Sequence, residues 1–482
     1  MPKENKTNTK VFSNFIWRFA ERCGAQLVSF IVSIVLARIL APEMYGTIAL
    51  VTVFINILQV FVDSGLANAL IQKKDADNLD FSTVFFANVS FCLILYILMF
   101  FVAPLIGMFY NDMSLVSIVR VLSLLLIISG VKNVQQAYVS RNMLFRKFFF
   151  STIGGTILAA VVGIYMAMQG YGVWALVTQQ LLNATVDTLI LWITVKWRPQ
   201  FRFSFSRLKG LFSYGWKLLA SGLLDTVYNS LRQLIIGKLY TSADLAYYNK
   251  GNQLPNLIIT NINSSIDSVL FPVMSKKQED RAHVKNMTRR AIKTSTYIMA
   301  PLMMGLAFTS SNVIVLLLTE KWLACIPFLS IFCITYMFYP IHTANLNAIK
   351  AMGRSDIFLK LEIYKKIVGL ILLLSTMWFG VMAMAYSLLV SSVLCQIINS
   401  SPNKKLLNYG YLEQLKDILP NIIMAVIMGV CVKFVPVLCN SVLLTLVVQV
   451  LLGAVIYILE SVITKNESFY YVLGIVKGFV KK

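Results

Sequence analysis

The chain of 482 residues is 58% hydrophobic and 13% charged, with a mean hydropathy of +0.73. Soluble domains carry about 25% charged residues, so this balance excludes an ordinary soluble enzyme and implies a polytopic membrane protein. The formal net charge of +22 does not signal a nucleic-acid partner, because the Lys and Arg residues sit in short links between apolar segments.

Segments long and apolar enough to span a bilayer fall at about residues 14–40, 45–70, 81–110, 115–140, 148–168, 171–195, 210–238, 245–272, 287–318, 323–349, 357–378, 380–400, 418–436 and 440–463. They predict an all-α protein with 14 transmembrane helices. The first follows a basic tail, is too long for a signal-peptide core and has no small-residue cleavage site, so it reads as a retained helix. Basic residues gather in both tails and in every second link, at Lys73–Lys74, Arg141–Lys147, Lys196–Lys209, Lys276–Lys293 and Lys404–Lys416. The alternate links, such as APEM, YND and QGYG, hold few. This bias predicts that both termini are cytoplasmic.

An internal repeat is visible. LARILAPEMYG around Arg38 matches IIGKLYTSADLA around Lys238. RNMLFRK at Arg141–Lys147 matches RSDIFLK at Arg354–Lys360, and GVWAL at Gly172–Leu176 matches GVMAM at Gly380–Met384. The repeat predicts two six-helix lobes, residues 1–200 and 201–405, in parallel pseudo-twofold arrangement. Residues 406–482 would add two C-terminal helices and a cytoplasmic tail.

The seventh span carries charges that lipid does not tolerate. Ser213, Lys217, Ser221, Asp225, Asn229 and Arg232 recur at helical spacing and form one stripe. A charge at mid-bilayer costs about 2.5–3.5 kcal/mol, so the stripe must face protein or water. The first span, its repeat counterpart, carries Arg18, Arg22, Gln26, Ser29 and Ser33 at similar steps. The second carries Thr52, Asn56, Gln59 and Asp63. The eighth carries Asn249, Gln253, Asn256, Thr260, Asn263 and Asp267, with Lys250 beside them. Four polar faces predict a central cavity walled by spans one, two, seven and eight.

Charges at membrane depth lean basic: Arg18, Arg22, Lys132, Lys217, Arg232 and Lys250 against Glu21, Asp225 and Asp267. Arg grips phosphate with a planar fork and Lys as a point charge, while amides suit sugar hydroxyls. The candidate substrate-binding residues are therefore Arg18, Arg22, Gln26, Asn56, Gln59, Lys132, Lys217, Asp225, Arg232, Lys250, Gln253 and Asn256. The competing reading is that these groups pair internally and hold helices together, with Arg18 and Arg22 snorkelling to the interface. His342 is a candidate proton relay or, more simply, a packed core residue. Asp187 and Glu460 stand isolated. The seven cysteines form no CxxC and no metal spacing, and no Walker, GxSxG or zinc signature occurs, so no catalytic residue, metal or cofactor is expected.

The stretches LARILAPEMYGTIALVTVF, FVDSGLANALIQKKD, GYGVWALV, AYYNKGNQLP, VLFPVMSKKQED, PLMMGLAFTSSNVIVLLLTEKW and YPIHTANLNAIKAMGRSDIFLKLE arrive in an order that resembles a known family. It is the Wzx-type flippase branch of the multidrug/oligosaccharidyl-lipid/polysaccharide exporter superfamily, and the colanic- and teichuronic-acid exporters in particular. The likeness covers roughly residues 12–405. It implies a non-enzymatic transporter of the bacterial inner membrane that works by alternating access. Its substrate would be an undecaprenyl-diphosphate-linked oligosaccharide repeat unit for surface polysaccharide or lipopolysaccharide, and a polysaccharide polymerase would be its partner. The family has no strict substrate motif, so the candidate residues rest on the stripes. A multidrug exporter of the same fold is the alternative. A polymerase or ligase is a further one, although outward links of about four to eight residues leave little room for an acceptor site.

Overall fold

The computed structural model describes the backbone of residues 2–63, 65–435 and 441–480 and, from Trp17 on, most of their side chains. Every regular element among the described residues is helical. The chain forms two compact units, Met1–Ala246 and Tyr247–Lys482. The first holds α1 (Pro2–Ile39), α2 (Pro42–Asp63), α3 (Leu66–Gln72), α4 (Asn78–Tyr110), α5 (Ser114–Leu122), α6 (Leu124–Arg141), α7 (Phe145–Met168), α8 (Val173–Thr194), α9 (Phe205–Leu239) and the first turn of α10 (Ser242–Ser275). The second holds the rest of α10, then α11 (Arg281–Phe308), α12 (Ser310–Leu318), a 3-10 turn at Glu320–Cys325, α13 (Ile326–Met337) and α14 (Tyr339–Ala351). It closes with α15 (Ser355–Thr376), α16 (Val381–Leu407), α17 (Tyr411–Lys433), α18 (Val442–Ile463) and α19 (Glu467–Val480).

Among the described residues, nine helical runs are long and apolar enough to cross a membrane, or ten if α11 and α12, bent by 69°, make one span. The fourteen-span reading adds α1, α8, α9 and α15. Charge explains why two of these fall short of an ordinary span: α9 holds Lys217, Asp225 and Arg232, and α15 holds Lys360, Glu362, Lys365 and Lys366. Fourteen therefore stays a proposal. The repeat reappears in the helix boundaries. Pro42 opens α2 as Ser242 opens α10, and Gly172 and Gly380, both at positive φ, precede α8 and α16.

The core of the first unit joins α3, α4, α6, α7 and α8 around Leu70, Phe81, Phe85, Val134, Phe148, Leu191 and Trp197. Trp197 stacks on Tyr138 at 6.2 Å, and its carbonyl accepts a hydrogen bond from the buried Gln135 amide at 3.1 Å. These contacts hold the link that leads into α9. That helix then packs on α2, α3 and α4. Glycines permit close approach both at the start of α10 and within α9. A Cβ on Gly46 would lie 1.7 Å from the Ser242 carbonyl oxygen, and one on Gly215 would lie 2.8 Å from the Gly65 backbone. By contact α9 thus belongs to the first unit, although in the repeat it opens the second six. The division at residues 200 and 405 describes the repeat and is carried on as a proposal.

In the second unit Met274, Val284, Ile292, Ile341, Ala344, Tyr409 and Ile418 form the core. A buried amide seam crosses it. Asn345 and Gln414 exchange hydrogen bonds of 2.8 and 2.9 Å, and Asn403 donates to Asn345 at 2.7 Å. The seam ties α14, α16 and α17. Tyr457 on α18 donates to the Tyr297 carbonyl of α11 at 2.9 Å, which ties α18 to this unit as the seam ties α17.

Candidate functional site

The polar stripe of α9 begins at a fixed point. Ser204 caps the helix, and the Arg207 guanidinium reaches Asp77 at 2.7 Å and Asp80 at 3.1 Å. Asp77 and Asp80 form a capping box at the start of α4, and Lys73 pairs with Asp80 at 2.7 Å. The backbone N–H of Asp80, helped by Arg207, holds the Asp77 carboxyl below its usual range. From this clamp α9 presents Ser213, Lys217, Ser221, Asp225 and Asn229 as exposed residues on the predicted stripe. Arg232, the last member, is buried at 9% exposure. The stripe is therefore open along most of its length and closed at one end.

On the other helices of the first unit, Gln26 of α1 is half-buried and Asn56 of α2 is exposed. The side chains of Arg18 and Arg22 lie outside the described residues. Gln59 and Lys132 belong to a polar network within the helices. Gln59 donates to Asp63 at 3.3 Å, and Asn133 donates to the same carboxylate at 3.0 Å and to the Val62 carbonyl at 3.2 Å. One residue before Asn133, Lys132 forms an ion pair of 2.5 Å with Asp187, whose side chain is only 8% exposed. Asp187, isolated in the sequence, thus acquires a role. For Lys132 the contact is an internal one. Sequence reading missed Asn133 and Asp187, although a lone base in one span and a lone acid in another carry the signal for such a pair.

In the second unit Lys250 is buried at 7% exposure, with its ammonium 3.2 Å from the Gln253 side-chain oxygen and 5.8 Å from the centroid of Trp322. It faces the unit interior. Asn256, Thr260 and Asp267 remain exposed on α10. Asn263, Asp267, Thr343, Lys350 and Glu362 line a cavity of about 350 Å³, in which Lys350 meets Asp267 at 3.5 Å. Lys350 was not among the expected residues. His342 is packed: its ring nitrogens lie 3.2 Å from the Asn399 amide and 3.5 Å from the Ser392 hydroxyl. Among the described residues no group of His, Cys, Asp or Glu is arranged to hold a metal ion. The α9 face offers one exposed ammonium, Lys217, among hydroxyl, amide and carboxylate groups, an arrangement for binding a polar ligand.

Residues 35–327 match the family described as polysaccharide biosynthesis protein. TuaB, a teichuronic acid biosynthesis protein of Bacillus subtilis (strain 168), is 26% identical over 306 residues, 62% of either chain. ExoT, a succinoglycan biosynthesis transport protein of Rhizobium meliloti (strain 1021), is 23% identical over 325 residues, 67% of this chain and 66% of its own. WzxC, a lipopolysaccharide biosynthesis protein of Escherichia coli (strain K12), is 25% identical over 373 residues, 76% of this chain and 74% of its own. The aligned part spans just under two thirds of the length of the first two relatives. Among solved structures, the lipid II flippase MurJ in an inward closed conformation superimposes with a TM-score of 0.76 over 95% of this chain and 99% of its own, at 15% identity. An inward-facing multidrug resistance transporter of the MOP superfamily gives 0.62 over 80% and 94%, at 16% identity. At such identities the likeness carries the fold. The protein is a multi-pass, all-helical membrane protein with the fold of these transporters, and it belongs to the polysaccharide biosynthesis protein family.

Proposed function

We propose that this protein flips lipid-linked oligosaccharide repeat units of the undecaprenyl-diphosphate type across the bacterial inner membrane by alternating access. Both termini are cytoplasmic in this reading, and a polysaccharide polymerase consumes the product. The observation that carries it is the open polar face of α9, where Lys217 is exposed among Ser213, Ser221, Asp225 and Asn229 inside an otherwise apolar helix. A cation there meets the diphosphate, and the amides of Asn56 and Asn229 in the same unit meet the sugar. Gln26, Gln59 and Asp225 are further candidates in that unit, and Gln253 and Asn256 are candidates on the polar face of α10 in the other. Arg18 and Arg22 would extend the basic surface of α1. Lys132, Lys250 and Arg232 are closer to the helix interior and support these faces. The preference for an anionic substrate over the cationic drugs of a multidrug exporter rests on the exposed Lys217 and, in the sequence, on Arg18 and Arg22. The test is deletion followed by lipid analysis. Lipid-linked oligosaccharide should accumulate on the cytoplasmic leaflet while its synthesis continues. Unchanged delivery of repeat units to the outer leaflet would sink the proposal.

A further inference from the structure

A second basic site lies in the Tyr247–Lys482 unit and uses none of the residues of the α9 stripe. It is built where α19 returns onto α11. After α18 ends at Ile463, Lys465 takes a left-handed conformation (φ 50°) and turns the chain. The Asn466 side-chain oxygen then caps α19 by accepting the Ser468 N–H at 2.9 Å. Its amide donates to the Asn421 side-chain oxygen at 2.8 Å, and Asn421 in turn donates to the Lys293 carbonyl at 3.1 Å. This relay pins the start of α19 against α11.

Between the two helices lies a cavity of about 360 Å³ lined by Arg289, Arg290, Lys293, Thr294, Ser468 and Tyr471, with Glu467 at its edge. Three cations thus face one lining carboxylate. Arg289 is engaged from behind by Asp417 through two contacts of 2.8 Å, and Lys293 pairs with Glu467 at 2.5 Å. Arg290 differs. Its guanidinium sits 4.9 Å from the centroid of the Tyr471 ring, and no carboxylate among the described residues comes within ion-pair distance. Stacking on a ring occupies the face of the guanidinium and leaves its N–H edges for a planar or tetrahedral anion. The volume is that of a small-ligand pocket. The hydroxyls of Thr294, Ser468 and Tyr471 can donate to phosphate oxygens as well. Arg289, Arg290 and Lys293 lie in the first half of α11, within the basic stretch 276–293. Beside it, α19 exposes Tyr470, Tyr471 and Ile475, the aromatic and apolar surface typical of a membrane interface. Basic pockets at this level are suited to anionic headgroups.

We propose that this cavity binds an anionic phosphate group without a neutralising cation of its own, carried by the headgroup of an anionic phospholipid or by free phosphate, through residues other than those of the α9 stripe. The test uses the purified full-length protein in neutral detergent. It is titrated with short-chain phosphatidylglycerol, with phosphatidylcholine of the same chain length and with inorganic phosphate, and binding is read by native mass spectrometry and by the shift in melting midpoint. Phosphatidylglycerol should bind and raise the midpoint, and phosphatidylcholine should do neither. Arg290→Gln should weaken phosphatidylglycerol about tenfold or more, through loss of one charge-assisted contact, and Arg290→Lys should restore part of it. Arg290 is exposed, so neither change threatens the fold. Arg281→Gln, on the same helix but outside the cavity, should leave binding unchanged. If inorganic phosphate matches phosphatidylglycerol, the free anion is the ligand. If it binds much more weakly, the lipid headgroup is. Equal binding by wild type and Arg290→Gln, or equal response to phosphatidylglycerol and phosphatidylcholine, overturns the proposal. None of these readouts depends on transport, so failure here leaves the flippase reading untouched.

Discussion

Lys132 and Asp187 form a shielded ion pair in the first unit. They meet at 2.5 Å between α6 and α8, with the carboxylate almost fully shielded from solvent. Removing one partner strands the other in a low-dielectric interior. Lys132→Ala should therefore destabilise the protein by about 3–5 kcal/mol and deplete it from membranes. Replacing both by Leu should recover most of that level, because no uncompensated charge remains. Wild-type abundance of the single variant would show that the pair is not structural. The Asp77 clamp makes a separate point about acid. Its carboxyl is held below the ordinary range, so its stabilising contribution is complete above the unfolded value of about 3.9 and fades as pH falls through the lower folded one. The difference in melting midpoint between wild type and Asp77→Asn should be constant near neutrality and shrink at strongly acid pH. A difference that grows on acidification would contradict this sign. The effect will be small, since Asp77 is solvated.

For the helices, close approach is the deciding quantity. α2 meets the start of α10 through Gly46, where a Cβ would fall 1.7 Å from a carbonyl oxygen. No side-chain rotation relieves a clash with backbone. Gly46→Val should abolish accumulation of folded protein, whereas Gly210→Ala, with nothing within 4 Å, should not, as an immunoblot of membranes reports. Topology belongs to the same scale. The loop bias puts Asn111 and Gly170 outside, and Asn78, Arg202 and Lys404 inside. Single cysteines there, in a cysteine-free background, should react with an impermeant thiol reagent in intact cells only at positions 111 and 170. Labelling at 78 or 202 would require a different set of spans. The two glycine turns at Gly172 and Gly380 show how far the repeat reaches: the same positive-φ residue opens the sixth and twelfth predicted spans.

At the scale of the whole molecule, the proposed role of the α9 stripe makes transport and folding separable by mutation. Lys217 is exposed and Arg232 is buried, although both occupy one helical face. Lys217→Ala should leave the membrane level near normal and cut delivery of lipid-linked repeat units severely. Arg232→Ala should reduce the amount of protein itself, and Arg232→Lys should retain more of it because the charge survives. Normal export by a well-expressed Lys217→Ala variant would remove the stripe from the substrate path. Much of this is legible in the order of the residues. Periodicity alone identifies residues that share a helix face, so the stripe, the helical class and the two-fold repeat follow from spacing, and positive charge in alternate links follows from the cost of moving it across a bilayer. What spacing does not contain is which neighbour a face meets. Lys132 and Asp187 lie 55 positions apart on different helices, and only their packing in three dimensions makes them a pair. Lys250 stands on a polar helix yet turns toward Trp322, because Gly251 beside it lets α13 approach and bury that side of α10. The assignment of α9 to the first unit is likewise decided by packing, as at Gly215, whose close approach to the Gly65 backbone depends on the absence of a Cβ.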